Sequence, residues 1–438
     1  MSHRLLKEYG YFAPLLLVYV TIVLILSENS FAGDEARYVQ FAKNLVQGFY
    51  SPADPNQLDL WNGPGYPLVL VPFVALGLPM LIAKLANACF LFFAVILIYR
   101  TLCIYIPHHQ ARYFSLLLGL YPPFMPHLPY LITEPFVVLL VSAFSFFLCR
   151  HAITKLNYTG HFFVAVIALT WLMLTKVIFG YVILIILVIS AFRYILSRTI
   201  SSKTCFVICC FAMLFCSPYL VYTYSLTNRI FYWSDAGGVT LYWISSPYPR
   251  EFGDPHSSSG NIRGNPQENP ELWKNHGAFF ESISELSPLE KDDARKAQAI
   301  RNIIENPGKY TLNIFANIGR MFFSYPYSYA EDRLTTYFWA IPNMFIFVTM
   351  VFCVYPTWFG RKHIPGEILT LLLIGWTAFG ASSMVSAYAR QFYVLVPIFA
   401  IWIGFVLFGI LNINIMPVRS PNSKLIMAKQ THHKTDEK

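Results

Sequence analysis

The chain has 438 residues, of which 56% are hydrophobic, 17% aromatic and only 13% charged, with a formal net charge of +9. That balance is too apolar for a water-soluble globule and excludes the nucleic-acid reading that a basic soluble protein would invite. The eight cysteines have no ligand-like spacing, and four of them (Cys205, Cys209, Cys210, Cys216) lie inside one apolar run, so they read as small buried hydrophobes.

A bilayer core about 30 Å thick takes roughly 20 apolar residues per helix. Apolar stretches of that kind recur at 11–28, 80–102, 111–129, 132–149, 161–175, 177–195, 204–225, 336–356, 367–387 and 390–412. The expectation is an all-α polytopic membrane protein of about ten spans. Arg4 and Lys7, Arg100 and Arg112, Arg150 and Lys155, Arg193 to Lys203, Arg361 and Lys362, and the basic tail then share one side. The positive-inside rule makes that side cytoplasmic and puts both termini there. The stretch 161–195 is short for two crossings, but one crossing would expose Arg193, Arg198 and Lys203 outside. A tight hairpin at Lys176 resolves the conflict. "SFA" before Gly33 resembles a cleavage site; the family resemblance given below implies instead that the first helix stays as an anchor.

The chain thus divides into an N-terminal membrane module (1–225), an outer loop domain (226–335), C-terminal membrane helices (336–412) and a polar cytoplasmic tail (413–438). The outer domain opens with turn-forming chemistry in "PYPREFGDPHSSSGNIRGNPQENPE" and continues with helical spacing from Ser287 that Pro307 interrupts. A second outer segment, 29–79, follows the first span. From Glu35 to Gln47, Val39, Ala42, Leu45 and Val46 recur on one face, with Arg37, Gln40, Asn44 and Gln47 opposite and Gly48 as a stop. This is the pattern of an interfacial helix.

Asp34 stands at the N-terminus of that helix. Taken alone it reads equally well as an N-cap that accepts backbone N–H groups. Its company favours chemistry. Glu134 starts a span ahead of Pro135, and Lys84, Lys176 and Arg390 sit at outer helix ends. Each cation alone could be a snorkelling anchor. Ionisable groups gathered at membrane depth mark functional sites, and this set suits an anionic lipid together with a polar substrate. The His108–His109 pair lies in an inner loop without a third ligand, and the Asn157 sequon falls on the inner side. No phosphate-cradling glycine loop offers a nucleotide-sugar a site.

"GDEARYVQFAKNLVQG", "GPGYPLVLVPFVALG", "LITEP", "LTKVIFGYVILI" and "SAYARQFYVLVPIFAIW" together resemble the membrane-embedded GT-C glycosyltransferases. The branch they look most like holds the protein O-mannosyltransferases, the aminoarabinose transferases and related bacterial sugar transferases. The resemblance implies a GT-C fold with outer juxtamembrane helices and a small extracytoplasmic domain, in a bacterial inner membrane. It implies a hexosyl- or pentosyltransferase that takes sugar from a polyprenyl-phosphate donor and passes it to a glycan, lipid or protein acceptor on the outer face. Asp34 occupies the position of the general base or acceptor-orienting carboxylate, with Glu35 beside it and Glu134 as a further orienting group. Arg390, Lys176 and Lys84, in that order, are the candidates to hold the departing phosphate. No residue is assigned to a metal; GT-C enzymes occur with and without a divalent ion, so the resemblance leaves that open. The rival classes are a lipid-linked sugar flippase or transporter, and a polysaccharide ligase or polymerase. The first expects related halves and midplane sites, and the second has no reason for Asp-Glu in the first outer loop.

Overall fold

The computed structural model describes residues 8–31, 33–154, 159–255, 270–329 and 334–413. The expected cytoplasmic tail beyond 413, the Arg4 and Lys7 cluster, Lys155, the Asn157 sequon and the centre of the outer loop lie outside the described residues. Among the described residues the secondary structure is helical, with no strand.

The first span, Glu8–Leu26, contains α1 (Ala13–Leu26). The segment expected on the outer side follows, with α2 (Glu35–Val46) and α3 (Gly65–Ala75). Then come α4 (Met80–Leu102), α5 (His108–Gly119), α6 (Glu134–Ile153), α7 (Thr159–Thr175), α8 (Ile178–Ser197) and α9 (Ile200–Thr227). The domain expected on the outer side is built from α10 (Gly237–Ile244), α11 (Pro270–Ser282), α12 (Pro288–Glu305) and α13 (Pro307–Phe323). The chain closes with α14 (Leu334–Phe359), α15 (Gly366–Ser383), the single turn α16 (Arg390–Tyr393) and α17 (Val396–Phe405), which runs into a π turn at Val406–Ile410.

Seven helices among the described residues are long and apolar enough to cross a bilayer, and Gly65–Ala75, Thr159–Thr175 and Val396–Ile410 are shorter apolar helices. The chain is a multi-pass membrane protein. The expected count of about ten needs one correction in kind. Residues 111–129 cross as a broken span and not as one helix: α5 ends at Gly119 and a 3₁₀ helix, Pro122–His127, continues the path, with Arg112 stacked over Tyr11 at one end of the first span and Pro129 accepting from Ser27 at the other. Pro122, Pro123 and Pro126 remove the backbone donors that an α-helix needs there. The hairpin at Lys176 is present, with α7 ending at Thr175 and α8 starting at Ile178.

Helix surfaces match a lipid solvent. On α14, Tyr337, Phe338, Ile341, Phe345, Val348, Phe352 and Tyr355 face outward, at helical spacing. In water such a stripe would be an aggregation surface; against hydrocarbon it needs no partner. The outer domain has its own small core of Val239, Tyr242, Trp243, Leu272, Phe280 and Ile283. Its helices start where the sequence says they should. Ser287 accepts from the Glu290 N–H while the Glu290 carboxylate accepts from Ser287 N, a complete capping box, and Pro288 takes the first helical position. Pro307 likewise opens α13. All eight cysteines are free, and five (Cys149, Cys205, Cys209, Cys216 and Cys353) are buried.

Candidate functional site

Five separate stretches of chain bring their charges together at one end of the bundle: the start of α2, the first turn of α4, the start of α6, the α7–α8 turn and α16. The segment between α1 and α4 is seated on the α7–α8 turn by a close backbone approach. A Cβ on Gly63 would lie 2.0 Å from the Leu174 carbonyl oxygen, and one on Gly65 2.3 Å from the Thr175 hydroxyl. Only glycine fits at either place. Trp171 Nε1 donates to the Gly65 carbonyl at 2.7 Å, so the loop and the residue before Lys176 are locked in register.

Asp34 is the residue that precedes α2, but its carboxylate makes no capping hydrogen bond. It turns to two guanidinium groups instead: Arg37 Nη1 lies 3.3 Å from Oδ1 and Arg390 Nη2 lies 3.4 Å from Oδ2. The capping alternative is therefore not what the side chain does. Arg390 is shared, its Nε lying 3.6 Å from Glu134 Oε1. Lys176 Nζ donates to the same Glu134 oxygen at 2.7 Å. Glu134 is 1% exposed, so its burial is tolerable only because two cations flank it. The result is an alternating chain of charge, Arg37–Asp34–Arg390–Glu134–Lys176.

Glu35 and Lys84 form a second pair, 3.4 Å apart and both nearly inaccessible. Lys84 Nζ also donates to the Glu28 carbonyl at 2.8 Å, and Glu35 Oε1 accepts from Leu131 N at 2.7 Å. This pair ties together the end of α1, α2, α4 and the loop before α6. It faces into the protein.

A cavity of about 480 Å³ opens onto the first cluster. Asp34, Tyr38, Trp61, Asn62, Lys176, Tyr388 and Arg390 line it, together with Gly237, Val239, Thr240, Leu241 and Trp243 of α10 and Lys296 of α12. Glu35, Lys84 and Glu134 are not part of that lining. Of the six residues singled out from the sequence, Asp34, Lys176 and Arg390 reach the cavity, Glu134 lies behind the two cations, and Glu35 with Lys84 stands apart.

Sequence reasoning missed several neighbours. Arg37, assigned to a polar outer face, also lies 3.8 Å from Asp59 and stacks over Trp61 at 5.1 Å. Tyr388 sits under the Arg390 guanidinium at 5.0 Å. Its place in "SAYARQ", two residues before a candidate cation, was the available signal. Asn44 and Glu35, both polar, are buried on α2, while Val46 is 47% exposed. His108 opens α5 with its Nδ1 3.4 Å from Tyr99 Oη, a helix-start role. Among the described residues no three His, Cys, Asp or Glu side chains converge as a metal site. Both oxygens of Asp34 face guanidinium groups.

No family model matches the chain, and no curated protein sequence does. Solved structures do match. The archaeal oligosaccharyltransferase AglB from Archaeoglobus fulgidus, in complex with an inhibitory peptide and a dolichol-phosphate, superposes with a TM-score of 0.50 at 13% identity over 93% of this chain. The chain has a GT-C fold. It spans 50% of the length of that oligosaccharyltransferase chain. A looser overlap, with a TM-score of 0.38 at 14% identity, covers 91% of this chain and 77% of ArnT from Cupriavidus metallidurans bound to undecaprenyl phosphate. In the GT-C fold described here the ionisable cluster lies where the first outer loop meets the ends of α6, α7 and α16.

Proposed function

We propose that the protein is a glycosyltransferase that moves a sugar from a polyprenyl-phosphate donor to a hydroxyl-bearing acceptor in the cavity over Asp34, on the outer side of a bacterial inner membrane. The observation that carries this reading is one carboxylate, Asp34, and two cations, Arg390 and Lys176, on the wall of one cavity at the end of a membrane bundle. The fold supports it, because the AglB neighbour is an oligosaccharyltransferase with a dolichol-phosphate bound.

The chemistry uses the charges in a defined way. The bond between the anomeric carbon and the phosphate oxygen breaks, and a bond from the acceptor oxygen to the same carbon forms. The acceptor proton passes to the Asp34 carboxylate, which acts as general base or holds the hydroxyl in line. Phosphate is already a good leaving group and departs as polyprenyl phosphate, so no second carboxyl group has to protonate it, in contrast to glycoside hydrolysis. It gains charge as it leaves. Arg390 and Lys176 are placed to stabilise that charge. The Arg390 contacts to Asp34 and Glu134 are long, 3.4 and 3.6 Å, so the guanidinium can turn its fork toward phosphate without losing a tight pair. Glu134 holds both cations at the cavity edge. Glu35 and Lys84 act at a distance, by fixing the start of α2.

The test is to incubate purified protein with polyprenyl-phosphate-linked hexoses and pentoses in mixed micelles and follow released polyprenyl phosphate. Release that depends on an added glycan, lipid or peptide acceptor supports the reading. A protein that carries the intact lipid-linked sugar across proteoliposomes without cleaving it would be a transporter instead.

A further inference from the structure

The main chain that leads into Arg390 is held by side chains of α13. Helix α13 carries Asn313, Asn317 and Arg320, four and three residues apart and hence on one face. All three are buried, Arg320 and Asn317 completely. Asn313 Nδ2 donates to the carbonyls of Ile244 at 2.9 Å and Ser246 at 3.0 Å, just past α10. Asn317 Nδ2 donates to those of Ser382, Ser383 and Val385 at 3.1, 3.1 and 2.6 Å, while its Oδ1 accepts from Ala387 N at 3.2 Å. Arg320 Nη2 donates to that same Oδ1 at 2.7 Å, its Nε to the Ala387 carbonyl at 3.0 Å and its Nη1 to Pro326 at 2.8 Å.

The stretch gripped here, Met384 to Ala389, has no regular secondary structure. Its buried polar backbone must be satisfied from elsewhere, and Asn317 with Arg320 supplies much of that. The stretch contributes Val385, Ser386, Ala387 and Tyr388 to the cavity wall and leads straight into Arg390. Burying a guanidinium against carbonyls is costly, and a packed leucine would give a steadier core. What the polar clamp gives instead is a fixed path for an irregular segment.

We propose that Asn317 and Arg320 are positioning residues for the donor phosphate, acting through the 384–389 segment to aim Arg390. This rests on the donor reading above. Two measurements separate it from that reading and from general destabilisation. The first is binding of undecaprenyl phosphate alone to purified protein in detergent. Asn317→Ala should bind at least about tenfold more weakly than wild type, since losing several buried hydrogen bonds frees the segment and a tenfold change needs only about 1.4 kcal/mol. Ser287→Ala loses the capping box of α12, which does not touch the segment, and should stay within about twofold of wild type. The second is maleimide labelling of Ser386→Cys, a buried position, compared with protein lacking that cysteine. Adding Asn317→Ala should speed labelling about tenfold whatever the protein binds. Unchanged labelling overturns the clamp. Equal binding by Asn317→Ala and wild type overturns the positioning role while the donor reading stands. Failure of wild type to bind overturns the donor reading and the positioning role together, and the labelling rate then judges the clamp alone.

Discussion

Replacing Glu134 by Gln tests the charge arrangement behind the cavity without touching its lining. The carboxylate is 1% exposed and lies 2.7 Å from Lys176 and 3.6 Å from Arg390. Gln keeps the shape but leaves two cations facing each other with no anion between them. Breaking a buried pair by removing one partner costs about 3–5 kcal/mol, because the surviving charge is stranded. The same rule says that removing both partners costs much less. Glu134→Gln should therefore unfold at a clearly lower temperature in detergent, and Glu134→Gln with Lys176→Met should recover most of the loss. A phosphate ligand can stand in for the missing anion, so undecaprenyl phosphate should raise the melting temperature of Glu134→Gln more than that of wild type. Differential scanning fluorimetry on the wild type, both single variants and the double variant gives the coupling energy directly. Additive losses, or equal stabilisation of Glu134→Gln and wild type by the lipid, would refute the idea that Glu134 exists to hold the two cations.

Three further outcomes follow from the same geometry. Arg390→Ala should weaken use of a polyprenyl-phosphate donor more than Arg390→Lys, which keeps a point charge but loses the fork; equal activity of both variants and wild type would make Arg390 an anchor only. The outer domain should become more stable as pH falls from about 8 to about 5. Burial pushes the Asp235 carboxyl up to about 7, with Asp59 and Asp292 adding to the rise and Arg37 opposing it. A raised folded value contributes stability that is full below the ordinary 3.8 and is lost as pH rises through about 7. Burial alone would also raise Glu251, but hydrogen bonds from His276, Ser246 and Asn275 bring it down to about 2, so its contribution is complete above 4.5 and flat in this window. Thermal melts from pH 5 to 8 should slope for wild type and flatten for Asp235→Asn; a flat wild-type profile counts against the assignment. Finally, a cysteine at Asn62 should react with an impermeant reagent added to intact cells, whereas one at His109 should not, and reversed labelling would place the site on the cytoplasmic side.

How much of this was legible in the sequence differs by element. The outer-domain helices were plain, because Ser287, Pro288 and Glu290 spell a capping box and Pro307 restarts the helix. The association of Asp34, Glu134, Lys176 and Arg390 was legible from their common position at helix ends, since charge at membrane depth needs a partner. Which cation met which carboxylate was not. Lys84 sits near a helix end as Lys176 does, yet it is drawn to Glu35 because both sit on the buried side of their helices. The break in the crossing at 111–129 was missed because summed hydropathy ignores the three prolines that end the α-helix. Asn313, Asn317 and Arg320 were invisible as a unit. Polar residues at helical spacing read as a water-facing stripe, and only the three-dimensional path of 382–387 shows that a main chain takes the place of water there.

The most direct test of the account is sugar transfer by Asp34→Asn. Asn caps a helix about as well as Asp, and Asp34 makes no side-chain capping bond in any case, so the variant should insert and fold. Its amide cannot take the acceptor proton. Transfer from a polyprenyl-phosphate sugar, measured in membranes and normalised to inserted protein, should fall by roughly 10²-fold or more, the scale of a lost general base, while Glu35→Gln, altered away from the cavity, should lose less per folded molecule. Near-normal transfer by Asp34→Asn would contradict the claim that this carboxylate carries the chemistry.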